Sequence, residues 1–290
     1  MPQFDYVAPT SVDEAIKALM SAPAARVLAG GTDLIVQMKA GRVSPGAVVD
    51  LKRIPGSIGI RREGGGAFLI GAATSGAAIS EDAALVGAWP GVVEATNLIG
   101  STQVQGRASL GGNLCNASPA ADSVPALVAA RATCIIVGPA GRREVPVETI
   151  QASPGRTTLQ PGEFILEFRL PPRPRKSADA YLRLIPRTEM DIAVVGAGVN
   201  LTLDAAGVIT EAHVSLGAVA PTTLLVAAAG QALVGGKLDE AALDRLDAAA
   251  RAACNPIDDK RGTIDYRTKI AGVLARRTAT IAYNRAEARS

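Results

Sequence analysis

Two double-glycine turns constrain this chain more than any other feature: Gly30-Gly31 within Val27-Leu28-Ala29-Gly30-Gly31-Thr32-Asp33-Leu34, and Gly111-Gly112 within Ala108-Ser109-Leu110-Gly111-Gly112-Asn113. Arg26 to Leu28 reads as a short strand and Leu34 to Lys39 as a helix, so the first pair must turn the chain from one into the other. Glycine lets the backbone approach a ligand closely and adopt the positive φ angles of an anion-binding nest. Thr32, Asp33 and Leu34 would present first-turn N–H groups to that anion. Asp33 has the wrong charge to bind it and is expected to cap the helix or orient the turn. The second segment repeats the arrangement and adds the Ser109 hydroxyl and the Asn113 amide as donors. Two such turns suit a diphosphate better than one.

The rest of the chain divides around these turns. Ser11 and Glu14 have capping-box spacing ahead of a helix over residues 11–20, and Val48 to Leu51 reads as a strand. Two β segments, near Ile58 to Ile60 and Phe68 to Ile70, flank a turn at Gly64-Gly65-Gly66. Helical stretches follow at Ala83 to Ala88, at Val92 to Leu98 and after Asp122, then strands at Cys134 to Val137 and Phe164 to Leu170. Pro171-Pro172-Arg173-Pro174-Arg175-Lys176-Ser177 stops both helix and ladder and reads as a linker. Beyond it the pattern predicts three strands (Tyr181 to Leu184, Ala193 to Leu203, Val208 to Leu216) and three helices (near Thr222 to Val234, Glu240 to Ala253 and Tyr266 to Asn284). That is an α+β arrangement.

Several chemistries are excluded. Cys115, Cys134 and Cys254 are the only cysteines, too far apart for a CxxC pair, which argues against zinc, iron–sulfur or dithiol chemistry in this chain. His213 is the single histidine, in an alternating apolar stretch that suits a strand. Gly196-Ala197-Gly198 follows a strand, but Leu201 stands where a dinucleotide fingerprint needs its third glycine. No nucleotide-triphosphate loop occurs. The 30 basic and 27 acidic residues are spread without a basic stripe, so no nucleic-acid partner is expected. No apolar run reaches the ~18 residues of a membrane span, and Met1 to Tyr6 lacks a secretory pattern, so a cytoplasmic protein is expected. Chemistry done by such a chain would be carried by a bound cofactor.

The two glycine segments, the second continuing as Leu114-Cys115-Asn116-Ala117-Ser118-Pro119-Ala120-Ala121-Asp122, resemble the FAD motifs of the medium subunits of the xanthine dehydrogenase/carbon monoxide dehydrogenase family of molybdenum hydroxylases. The resemblance extends to Val49-Asp50-Leu51 with Ile54-Pro55 and to Asp191-Ile192-Ala193-Val194-Val195. It implies a two-subdomain FAD-binding domain of the vanillyl-alcohol-oxidase/PCMH type, then a C-terminal three-strand antiparallel sheet with three helices. The expected divisions are residues 1–57, a βαβ subdomain; 58–173, a second α/β subdomain; and 178–286, the C-terminal domain.

By the same resemblance, Val27, Leu28, Ala29, Gly30, Gly31, Thr32, Asp33 and Leu34, with Ser109, Leu110, Gly111, Gly112 and Asn113, would hold the diphosphate. Asp122 would accept hydroxyl hydrogen bonds near the ribityl chain, its alternative being to cap the following helix. Ile99 and Ile165 would pack on and line the isoalloxazine, or simply fill core. Arg183 would lie near the pyrimidine edge, or else be a solvated strand charge. Thr74-Ser75-Gly76 resembles the family's TTH-type loop, with Gly76 lacking the third side chain. The implied function is an FAD electron-transfer subunit. It would take electrons from [2Fe-2S] clusters on a small iron–sulfur subunit that serves a large molybdenum (molybdopterin) subunit, and pass them to an external acceptor. The complex would be a heterotrimer or a dimer of heterotrimers. Two alternatives remain open at this stage. One is a self-contained FAD oxidoreductase, for which Tyr181, Glu189 and Asp191 are the candidate groups; the other is a non-catalytic subunit that has lost FAD.

Overall fold

The structure, a computed structural model, describes residues 3–289; residues 1 and 2 of the expected first subdomain lie outside them. The chain begins with β1 (Asp5–Val7), α1 (Val12–Ser21), β2 (Arg26–Leu28), α2 (Leu34–Lys39) and β3 (Ala47–Asp50). The strands form a parallel sheet in the order β1-β3-β2. α1 starts where predicted: Ser11 Oγ accepts from the Glu14 N–H at 3.2 Å, and the Glu14 carboxylate accepts from the Thr10 N–H at 2.8 Å. Two otherwise unsatisfied donors are thereby paired at the helix start. Ala15 of α1 and Val49 of β3 pack with Leu51, Ile54, Val137, Phe164 and Leu166 in a small core shared with the next sheet.

That sheet is antiparallel. Its elements are β4 (Ile60–Arg62), β5 (Phe68–Gly71), α3 (Gly76–Glu81), α4 (Ala83–Ala88), α5 (Pro90–Thr96), α6 (Thr102–Gln105), α7 (Leu110–Cys115), α8 (Ser123–Ala129), β6 (Thr133–Gly138), β7 (Gly141–Pro146), β8 (Gln151–Ser153), β9 (Arg156–Thr157) and β10 (Phe164–Leu170). The strand order is β4-β5-β10-β6-β7, with β8 and β9 forming a separate pair. The helices cover the sheet with a core that includes Ile70, Leu85, Trp89, Val92, Leu110, Leu114, Leu127 and Phe168. A bulge on β10 between Ile165 and Glu167 leaves the Leu166 carbonyl to accept from the Ala72 N–H.

The C-terminal part comprises β11 (Ser177–Leu184), β12 (Val195–Leu203), β13 (Ile209–Gly217), β14 (Leu224–Leu225), α9 (Ala227–Gln231), α10 (Glu240–Ala252) and α11 (Ile264–Glu287). Its antiparallel sheet has four strands, β11-β12-β13-β14, which corrects the expected three. The helix expected over Thr222 to Val234 shrinks to α9, because Leu224 and Leu225 pair with Leu216 and Ser215. Tertiary pairing overrides the helical preference of this alanine-rich stretch.

Alanines of α11 pack with Val199, Leu201 and Val214 of the sheet. The glycines of Gly196-Ala197-Gly198 lie within β12, in agreement with the rejected dinucleotide reading. A Cβ on Gly198 would meet the Pro125 carbonyl of α8 at 2.6 Å, and one on Gly91 of α5 would meet the Asp179 carboxylate and the Ala180 backbone of β11 at 2.6 and 2.8 Å. Bare backbone at these points lets the C-terminal sheet rest directly on α5 and α8. No described helix is long and apolar enough to cross a membrane.

Candidate cofactor site

The first glycine turn leaves the carboxyl end of β2, at the edge of a parallel sheet. Gly31 takes φ +79°, which an L side chain rarely adopts. A Cβ on Gly30 would lie 1.8 Å from the Arg107 carbonyl oxygen. Only glycine allows this approach, and it brings the first turn against the residues that lead into Ser109. Gln37 of α2 donates to Asn116 Oδ1, just beyond α7, at 2.9 Å and ties the same two elements. The two segments, far apart in sequence, are therefore brought side by side.

Their donors are not equally free. Among the described residues, the N–H groups of Gly30, Gly31, Thr32, Asp33 and Leu34 have no protein acceptor. In the second segment the Gly111 N–H donates to the Ala72 carbonyl, Gly112 to Ser109 Oγ and Asn113 to the Ser109 carbonyl. Among the described residues the Ser109 N–H has no protein acceptor, whereas the Leu110 N–H faces the Thr74 carbonyl across the Ser75–Ser109 bridge. Asn113 Oδ1 accepts from the Ser123 N–H and hydroxyl at 3.1 and 2.7 Å, so its carbonyl end is committed to α8 while its amide donors face outward from that contact. Unpaired backbone donors beside a glycine turn fit an oxygen-rich anion such as a diphosphate.

Two expected caps are absent. Asp33 and Asp122 occupy the positions before α2 and α8 in helical geometry, and neither side chain makes a capping bond. A capping side chain needs extended backbone to reach back to the N–H groups. Burial raises the pKa of the Asp33 carboxyl. Asp122 instead accepts from Arg183 Nη1 at 2.7 Å and from the Tyr181 hydroxyl at 3.2 Å. Burial pushes its pKa up to about 6, against the opposing pull of Arg183 and Tyr181. Arg183 is not a solvated strand charge: its side chain is 4% exposed, and its Nε is buried without a protein partner. That orphaned donor is the second observation that suits a bound polar group.

The remaining candidates are positioned differently. Ile165 belongs to the core of the central sheet, and Ile99 is buried in the turn after α5. Thr74 exchanges hydrogen bonds with Gly59, and Ser75 caps α3, so those side chains are occupied. The loop contributes through its backbone: the Gly76 N–H donates to the Ala108 carbonyl, and Ser75 bridges to Ser109, fixing the entry to the second turn. Asp191 is held below the usual carboxylate range by the Ile192 N–H and by Arg187 and Arg261, which leaves it unsuited to proton transfer. His213 lies on β13 and bonds Glu211 at 2.9 Å. Among the described residues no cluster of three or more His, Cys, Asp or Glu could hold a metal.

Lys52 and Tyr6 escaped the reading of the sequence. Lys52 donates to the carbonyl of Ala29, immediately before the double glycine, at 2.9 Å. The available signal was its position, two residues beyond Asp50 at the carboxyl end of the third parallel strand.

Residues 2–173 match the family model for the FAD binding domain in molybdopterin dehydrogenase, and residues 180–282 match that for the CO dehydrogenase flavoprotein C-terminal domain. The chain is 36% identical to the carbon monoxide dehydrogenase medium chain of Afipia carboxidovorans, over 99% of this chain and 98% of that one. It is 27% identical to a xanthine dehydrogenase FAD-binding subunit of Escherichia coli O157:H7, over 94% and 93%. A chain of the reconstituted CO dehydrogenase from Oligotropha carboxidovorans superposes with a TM-score of 0.93 at 36% identity, covering 98% of this chain and 99% of that chain. With both halves matched, and full-length relatives above 30% identity, the chain belongs to the FAD-binding medium-subunit family of the xanthine dehydrogenase/carbon monoxide dehydrogenase molybdenum hydroxylases.

Proposed function

We propose that this chain is the FAD-binding electron-transfer subunit of a heterotrimeric molybdenum hydroxylase. It takes electrons from [2Fe-2S] clusters on a small partner subunit, which draws them from a large molybdopterin subunit, and passes them to an external acceptor. The observation that carries this reading is the close approach of the Gly30 turn to the backbone that leads into Ser109, with unpaired N–H groups in both segments. FAD, when bound, would supply the ability to exchange electrons one or two at a time. Residues 27–34, with Ser109, Leu110, Gly111, Gly112 and Asn113, would hold its diphosphate. Asp122 and Arg183 would offer an acceptor and a donor to its polar parts, and Ile99 and Ile165 would bound the ring.

The same reading divides the chain into 1–57, 58–173 and 178–286, the first two forming an FAD fold of the vanillyl-alcohol-oxidase type. It places the protein in the cytoplasm, which suits three unpaired cysteines. The test is uptake of FAD by the flavin-stripped full chain. About one FAD per chain, with a raised melting temperature, is the expected result; no uptake under any reconstitution condition would reject the proposal.

A further inference from the structure

Three side-chain contacts cross the carboxyl ends of the first sheet. Tyr6 of β1 donates to Asp50 Oδ2 at 2.6 Å. Asp50, which ends β3, pairs through Oδ1 with Lys52 Nζ at 2.7 Å, and Lys52 donates to the Ala29 carbonyl that follows β2 at 2.9 Å. The relay follows the spatial strand order β1-β3-β2 from one edge to the other. Its central members are sheltered, with side chains 9% exposed at Asp50 and 25% at Lys52. Burial pushes the Asp50 carboxyl up, but the bonds from Lys52 and Tyr6 outweigh it and hold the group below the usual carboxylate range.

The end of this relay sits on the peptide plane that needs fixing. The Ala29 carbonyl and the Gly30 N–H belong to one planar trans unit, in which the two groups point in opposite directions. Side chains of the turn do little to hold that plane, because Gly30 has no Cβ and Gly31 lies at positive φ; its Gly30 end packs on the Arg107 carbonyl and its Ala29 end is held by Lys52. An ammonium group bound to the carbonyl therefore sets where the first free N–H of the turn points.

We infer that Lys52 is a positioning residue for the flavin diphosphate, anchoring the Ala29 carbonyl so that the Gly30 N–H is aimed at phosphate. The inference rests on the FAD reading above.

The test titrates FAD into the flavin-stripped full chain and records the melting temperature of each flavin-free variant. Lys52→Met should weaken FAD binding about tenfold, or about 1.4 kcal/mol, in addition to the lower flavin-free melting that follows from leaving the sheltered Asp50 without its partner. Lys52→Arg, which keeps a cationic donor, should recover most of the affinity. Tyr6→Phe, a mild change at an exposed residue, should weaken FAD binding about threefold and reads the same relay should Lys52→Met fail to fold. Binding within twofold of the parent for both Lys52→Met and Tyr6→Phe overturns the inference. So does an arginine variant as weak as the methionine variant with flavin-free melting lowered in both, since that is a purely structural role. A parent chain that takes up no FAD would instead defeat the underlying reading.

Discussion

Asp122 shows how one buried side chain can be tied to two distant elements at once. It lies at the start of α8, yet its carboxylate is held by Tyr181 and Arg183 of β11. Burial raises its pKa from 3.8 to about 6. A carboxyl with a raised folded-state pKa binds its proton more tightly when folded than when unfolded. Between about pH 4 and pH 6 the folded chain therefore carries the extra proton, and this group's contribution to stability falls as pH rises through that window. The prediction concerns the flavin-free chain. As pH rises from 4 to 7, the stability of Asp122→Asn relative to the parent should improve by at most about 3 kcal/mol, two pKa units at 1.36 kcal/mol each. Denaturant melts of both proteins at each pH measure the difference, and a gap that stays constant or moves the other way would contradict it.

At the scale of elements, the two glycine turns use their glycines differently. Gly30 is glycine because another backbone fills the space a side chain would need. A Cβ on Gly112 would meet only the Ser109 hydroxyl, at 3.3 Å, a contact that a shift of a few tenths of an ångström relieves with the cap of α7 kept. Gly30→Ala should therefore lower flavin-free stability by about 1–3 kcal/mol, as overpacking does, and push the two glycine segments apart so that FAD affinity falls too. Gly112→Ala should leave flavin-free stability nearly intact, with any loss confined to FAD affinity. Equal destabilisation by both would contradict this division of roles.

The turns and their flanking strands were legible in the sequence because alternation, helical spacing and glycine are local signals. α1, β2, α2 and β10 lie where those signals put them. What was missed depends on partners distant in sequence. Leu224 and Leu225 form a strand because β13 offers an edge, and β7 pairs with β6 although its residues are mostly exposed and charged. Asp33 and Asp122 look like caps until backbone geometry is known. The contact of Lys52 with Ala29 is set by the order of three strands, which no local pattern reveals.

Across the whole molecule, the C-terminal domain is fastened to the flavin-domain helices by ion pairs, one buried and one partly exposed. Arg173, in the segment expected to be a linker, pairs with Asp179 of β11 at 2.6 Å and stacks on Trp89 with its guanidinium 3.5 Å from the ring centroid. Asp179 also accepts from the Val92 N–H of α5 at 3.1 Å, and Arg285 of α11 pairs with Glu94 of α5. The buried Arg173–Asp179 pair is costly to break, because removing one partner strands the other charge. The proline-rich segment is therefore an anchor, and the Asp122 to Arg183 contact crosses a fixed junction. A rigid frame of this kind suits a relay, which must hold its cofactor at a set position between donor and acceptor. Cofactor and subunit analysis after mild purification from the native host tests that role most directly. The account predicts about one FAD per chain, co-purifying with an iron–sulfur chain and a molybdenum chain. A colourless protein that purifies alone and cannot take up FAD would contradict it.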